Sequence, residues 1–172
     1  MTEPSATAGA AAFDGGCTCR HVRYRLASSP LFVHCCHCRW CQRETGSAFA
    51  LNALIEADRV RLTSGAVEIV DTPSASGKGQ QIARCPRCRV AVWSHYAGFG
   101  RAVCFMRVGT LDEPDRFPPN VHIYTASKQP WVVLPEGTPA FPAYYQASKR
   151  WPAASLERRA ALRAAAAPAG SR

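Results

Sequence analysis

The sequence predicts an all-β fold with one short internal helix, and three observations lead there. Short runs of β-branched and aromatic residues alternate with polar ones at a period near two; in His21 to Leu26, for example, Val22, Tyr24 and Leu26 alternate with His21, Arg23 and Arg25. Turn-forming Gly, Pro, Ser and Asp residues separate these runs every few positions. The nine cysteines gather in close pairs and triplets instead of at loop-closing intervals, which points to metal ligation before disulfides. With 172 residues, 47% apolar and 19% charged, the chain has material for one packed core and is excluded from the disordered and fibrous classes.

Taken in order, residues 1–14 carry Ala, Thr, Gly and Ser without an apolar face and are expected to form a flexible leader. The domain is expected over residues 15–145. After His21 to Leu26, strand-like runs follow at Leu31 to His34, Phe49 to Ile55, Val60 to Thr63, Val67 to Thr72, Gln80 to Arg84, Ala91 to His95, Ala102 to Val108 and Val121 to Tyr124. Arg39 to Thr45 reads as the internal helix, with Gly46 as its C-terminal cap. Residues 146–172 form a basic, Ala-rich tail, in which Ser155 to Ala167 has helix propensity, Ser155 as candidate N-cap and Pro168 as stop. The tail carries little to bury and is expected to be solvated, the alternative being a short helix docked on the core or on a partner.

No secretion signal is read at the N-terminus, where Glu3 occupies the region that would carry Lys or Arg. No window approaches the roughly 18 to 20 apolar residues of a membrane helix, so a soluble, cytoplasmic protein with reduced thiols is expected. The net charge of +9 is reduced to about +6 if seven cysteines hold two zinc ions as thiolates. Arg20, Arg84, Arg87 and Arg89 lie beside those cysteines and are expected to offset their negative charge.

Cys17-Thr18-Cys19 and Cys85-Pro86-Arg87-Cys88 each present two sulfurs from one tight turn. Brought together, the turns would supply four thiolates in a closed tetrahedral site, whose role is structural. The segment His34-Cys35-Cys36-His37-Cys38-Arg39-Trp40-Cys41 is denser. Cys36, Cys38 and Cys41 offer three ligands and leave a vacancy, the arrangement that lets zinc bind an exogenous water or thiol. A second register, Cys35, Cys38 and Cys41, has ferredoxin-like spacing, but Thr45 stands where the fourth cysteine would be. His37 is open to two readings, a fourth ligand or proton carrier, or an outward side chain without a role. His21, His34 and His95 read as satisfied sheet histidines, and Cys104 as core.

Four segments together resemble the glutathione-dependent formaldehyde-activating enzyme family, also called the centromere protein V domain: GGCTCRHVRY from Gly15, CHCRWCQRETGSAF from Cys36, SGKGQQIARCPRC from Ser76 and VGTLDEPDRFPPNVHIYTASKQPWV from Val108. The resemblance implies a zinc-bearing β-tent fold, a structural zinc on Cys17, Cys19, Cys85 and Cys88, and a catalytic zinc on Cys36, Cys38 and Cys41. It also implies a carbon-sulfur lyase adding the glutathione thiol to formaldehyde to give S-(hydroxymethyl)glutathione, or acting on a related thiol and aldehyde. Arg39, Arg43 or Lys128 would then meet the substrate carboxylates. His122, Lys128 and Trp131 would line the pocket or, equally, His122 and Trp131 pack the sheet edge and Lys128 is solvated. The family usually has Gly directly after each structural pair, where this sequence has Arg20 and Arg89. A turn needing φ > 0 strains Arg, so these turns are expected to differ. The alternative function is a non-catalytic zinc module recognising an acidic partner; nucleic acid is disfavoured because the core arginines are interspersed with acids and no aromatic-basic recognition motif occurs.

Overall fold

A computed structural model describes residues 11–166. Ten strands dominate: β1 Phe13–Gly16, β2 Arg23–Leu26, β3 Phe32–Cys36, β4 Ala50–Glu56, β5 Val60–Ser64, β6 Glu68–Thr72, β7 Gln80–Arg84, β8 Ala91–Tyr96, β9 Val103–Arg107 and β10 Val121–Ile123. Two helices accompany them, α1 Arg39–Thr45 and α2 Ala153–Ala166. The all-β expectation is met, with two open sheets. A small sheet runs β1-β2-β5, and a large one runs β10-β3-β4-β9-β8-β7-β6. All pairs are antiparallel except β10 on β3, which is parallel and makes the large sheet mixed where only antiparallel pairing was expected.

The alternation that identified β2 buries Tyr24 and Leu26 in the core shared by the two sheets, with Val22, Ile55, Val92 and Met106. β3 is buried on both faces, which is why its apolar run carries no alternation. Its second face meets another core of Leu31, Phe105, Val121, Tyr145 and Trp151.

Two expectations change. The flexible leader expected over residues 1–14 ends earlier: β1 starts at Phe13, which is buried and packs edge-on against Phe117. Gly15 hid this strand from its sequence pattern: a Cβ there would lie 2.5 Å from the Tyr24 ring, so the site excludes the β-branched residues by which strands are recognised. Residues 1–10 lie outside the described residues. The tail, expected to be solvated, is docked instead. α2 begins at Ala153, and Ser155 does not cap it; its hydroxyl donates to the Leu31 carbonyl at 2.7 Å. Trp151 is 5% exposed and stacks on Phe32, while Arg158 pairs with the buried Glu56. Among the described residues, no helix is long and apolar enough to cross a membrane.

Candidate metal centres and cavity

The two outer cysteine pairs form twin turns. In the first, Cys17 N–H donates to the Val22 carbonyl and Arg20 N–H to the Cys17 carbonyl, each at 3.0 Å; in the second, Cys85 N–H bonds Val90 and Arg89 N–H bonds Cys85, again at 3.0 Å. Arg20 and Arg89 stand in the left-handed region at φ 61° and 63°. The turn geometry is therefore retained despite the arginines, at a strain of roughly 1 to 2 kcal/mol each. The small and large sheets bring the turns together, so that Cys17 Sγ lies 3.5 Å from Cys19 Sγ and Cys19 Sγ lies 3.7 Å from Cys85 Sγ. Zn–S bonds of about 2.3 Å in a tetrahedron require sulfurs about 3.8 Å apart. Cys88 completes the set, with all four sulfurs within 4.8 Å of one another, and the residues fit a closed tetrathiolate site. Backbone N–H groups of Cys19 and Val90 favour the Cys88 thiolate, lowering its pKa to about 6.

Cys36, Cys38 and Cys41 also converge, their sulfurs within 4.8 Å. Cys36 ends β3, Cys38 is the N-cap of α1 with its sulfur accepting from Cys41 N–H at 3.4 Å, and Cys41 lies one turn along. Hydrogen bonds from Cys36 and then Cys41 hold the Cys38 thiol far below its ordinary range, while sharing with Cys38 pushes Cys36 up. Gly46 caps α1 at φ 65°. The helix is held by Gln42, which is buried and donates to the carbonyls of His37 and Ser127, and by Glu44, whose carboxylate accepts from Arg84 and Arg107 at 2.6 Å each.

These three thiols border a cavity of about 450 Å³. His34 and Glu44 also line it, its walls include Tyr96, Phe99 and Phe105, and Trp40, Tyr124 and Tyr144 stand half exposed around it. His34 Nε2 lies 2.7 Å from the Tyr145 hydroxyl, which accepts from Trp151 Nε1 at 2.7 Å. Tyr145 satisfies every partner by donating to Nε2, leaving the His34 proton on Nδ1. Burial lowers the His34 pKa to about 4, so the ring is neutral.

Strand alternation separates the neighbouring residues. His34 and Cys36 face the cavity, whereas Cys35 and His37 share a buried cluster with His122, which is in register with Cys35 on β10. His37 Nε2 lies 3.0 Å from His122 Nδ1 and 3.5 Å from Cys35 Sγ. His37 thus stands apart from the three-thiol set, and Cys35 is turned away from the ferredoxin-like register. A metal-bound imidazole donates its other N–H to a partner, but His37 Nδ1 and His122 Nε2 have none, so these residues fit a metal less well than the two cysteine sets.

Arg39, Arg43, Lys128 and Trp131 do not line the cavity; Arg39 bonds Gln42, and the Lys128 ammonium donates to the carbonyls of Gln129 and Val132. Trp131 is 72% exposed and packs no sheet edge. Arg84 and Arg89 pair with Glu44 and Glu68, so carboxylates take up the charge expected to face the thiolates. The aromatic lining was not read from the sequence. Its one signal was the aromatic content of β8 and β9 and of residues 141–145, which is equally that of an ordinary core.

A family model described as glutathione-dependent formaldehyde-activating enzyme matches residues 12–127, more than half of the chain. No curated protein matches. Among solved structures, a Rhodobacter sphaeroides protein from a structural genomics programme aligns at 18% identity and a TM-score of 0.44, covering 58% of this chain and 87% of its own.

Proposed function

We propose, from the premise that this chain belongs to the glutathione-dependent formaldehyde-activating enzyme family, that it is a zinc-dependent carbon-sulfur lyase-type enzyme. It would join a small thiol of the glutathione class to formaldehyde or a related aldehyde. The observation that carries this reading is the contrast between the two cysteine sets. Three thiols border a cavity of about 450 Å³, a volume within the range of small-molecule sites, while none of the four outer cysteines lines it.

In this reading Cys17, Cys19, Cys85 and Cys88 would hold a structural zinc that ties the small sheet to the large one, and Cys36, Cys38 and Cys41, the set that borders the cavity, would hold a catalytic zinc. Zinc bound there supplies Lewis acidity, favouring the thiolate form of a substrate thiol or polarising a carbonyl oxygen. In the reaction the thiol loses its proton, a carbon-sulfur bond forms as the carbonyl π bond breaks, and a proton ends on the new hydroxyl oxygen. The neutral His34 offers a hydrogen-bond donor at Nδ1 to that developing oxygen, with its ring held by Tyr145. Phe99, Phe105 and Tyr96 give the cavity an aromatic wall.

The alternative, a zinc module for an acidic partner, has less support, because Arg84, Arg89, Arg107 and Arg158 are paired with carboxylates inside the chain. Metal content of the purified wild type and of Cys38→Ser, with glutathione titrated into the cobalt-substituted protein, tests the reading. Two metals in the wild type, one in the folded variant, and a glutathione-dependent change in the cobalt-thiolate spectrum are expected. A single metal insensitive to Cys38→Ser and to glutathione would sink the enzyme reading.

A further inference from the structure

A thiol of the glutathione class carries carboxylates, yet the cavity at the three thiols offers little to receive them. Lys78 is the one cation on its lining among the described residues. The Glu44 carboxylate that also lines it is already bound by Arg84 and Arg107.

A counter-charge lies just across the aromatic wall. A second cavity, of about 380 Å³, shares Phe99 and Tyr144 with the first and is lined by Arg159 and Arg163 of α2. The Arg159 guanidinium sits 5.6 Å over the Phe99 ring and 5.3 Å over the Trp151 ring. Stacking of this kind fixes the plane of an arginine while leaving its N–H edge free. Arg159 Nε is buried with no hydrogen-bond partner, and neither Arg159 nor Arg163 meets a carboxylate among the described residues. The preceding residue differs: Arg158 turns to the sheet and pairs with Glu56, which explains how the helix is docked without using Arg159. Docking does not account for an oriented guanidinium that borders a cavity, has no carboxylate partner among the described residues and keeps a buried Nε without an acceptor. Tyr144 lines both cavities, as Phe99 does, so the thiol-bordered cavity and the arginine-lined one meet at the same two aromatic side chains.

We propose that Arg159, assisted by Arg163, forms a carboxylate-binding subsite on α2, so that a substrate's sulfur lies at Cys36, Cys38 and Cys41 while its carboxylate reaches the arginines past Phe99 and Tyr144. This rests on the thiol-binding reading above and adds the residues that select an anionic thiol over a neutral one. The subsite lies on a helix outside residues 12–127, so the matched domain alone would lack it.

The test uses S-methylglutathione, which has the carboxylates but no thiol, and its diethyl ester, titrated calorimetrically into the zinc-loaded full chain. A charge-assisted contact predicts that the wild type prefers the free acid by about tenfold or more. Arg159→Gln should abolish that preference with the ester's affinity unchanged, and Arg159→Lys should restore part of it. The subsite is overturned if the free acid does not bind, if it binds no better than the ester, or if the preference survives Arg159→Gln. Equal weakening of both ligands in Arg159→Gln would also overturn it, since the arginine would then be serving α2 packing alone. The thiolate centre is read separately, by glutathione on the cobalt-substituted protein. Silence there with the Arg159-dependent preference intact would fail the lyase reading and leave the anion subsite standing.

Discussion

Replacing Trp151 tests the docking of the C-terminal helix and its link to the cavity. Trp151 is 5% exposed, its ring lies 5.3 Å from Phe32 in a stacked arrangement, and its Nε1 donates to Tyr145, which in turn holds His34. Trp→Ala at a buried site costs about 4 kcal/mol, and in a chain of this length each kcal/mol lowers Tm by about 2 to 4 °C, so Trp151→Ala should lose about 8 to 16 °C. Trp151→Phe keeps a ring against Phe32 and removes one donor, with a cost of about 1 to 2 kcal/mol and a correspondingly small shift. Both variants are compared zinc-loaded by calorimetry, with hydrogen exchange of the Leu156 to Leu162 amides reporting whether α2 opens. If Trp151→Ala melts within 2 °C of wild type with unchanged exchange, α2 is not docked, and the anion subsite built on it fails as well.

Glu44→Gln should destabilise the zinc-loaded protein by about 3 kcal/mol in urea unfolding, because the Arg107 guanidinium, 10% exposed, loses its carboxylate. Arg107 also donates to Asn52 Oδ1 at 2.6 Å and to the Ser94 hydroxyl at 3.2 Å, and a change below about 1 kcal/mol would show that these two satisfy it unaided. Burial pushes the Glu56 pKa up, but the Arg158 hydrogen bond and charge outweigh it and leave the pKa below its ordinary 4.5. The stability this pair contributes is therefore complete above pH 4.5 and lost as pH falls through the lower folded value, so Glu56→Gln should flatten the acid limb of the stability profile; an unchanged limb would contradict the pairing. Arg20→Gly, at an exposed φ of 61°, should raise stability by about 0.5 to 1 kcal/mol once relief of left-handed strain is set against the extra freedom of an unfolded glycine. A lower urea midpoint would show that the Arg20 side chain makes a contact worth more than the strain.

Local periodicity and spacing determine much of this protein. The alternation in β2, the Gly46 stop of α1 and the grouping of Cys17 with Cys19, Cys36 with Cys38 and Cys41, and Cys85 with Cys88 are encoded within six residues of chain, where one turn or one strand decides which side chains can meet. Three features required the tertiary structure. β1 lacks an apolar pattern because Gly15 admits the Tyr24 ring and Gly16 the Val22 carbonyl. The anchoring of α2 joins Trp151, Ser155 and Arg158 to Phe32, Leu31 and Glu56, more than 90 residues earlier, and no helix propensity encodes such partners. The cavity draws His34, Cys36, Tyr96, Phe105 and Tyr144 from separate strands and loops, and aromatic residues that line a cavity have the same sequence signature as those that fill a core. Which face of β3 carries Cys36 and which carries Cys35 is set by alternation. That the Cys36 face opens on a cavity while the Cys35 face meets His122 is decided by the parallel pairing of β10, a long-range choice made by packing.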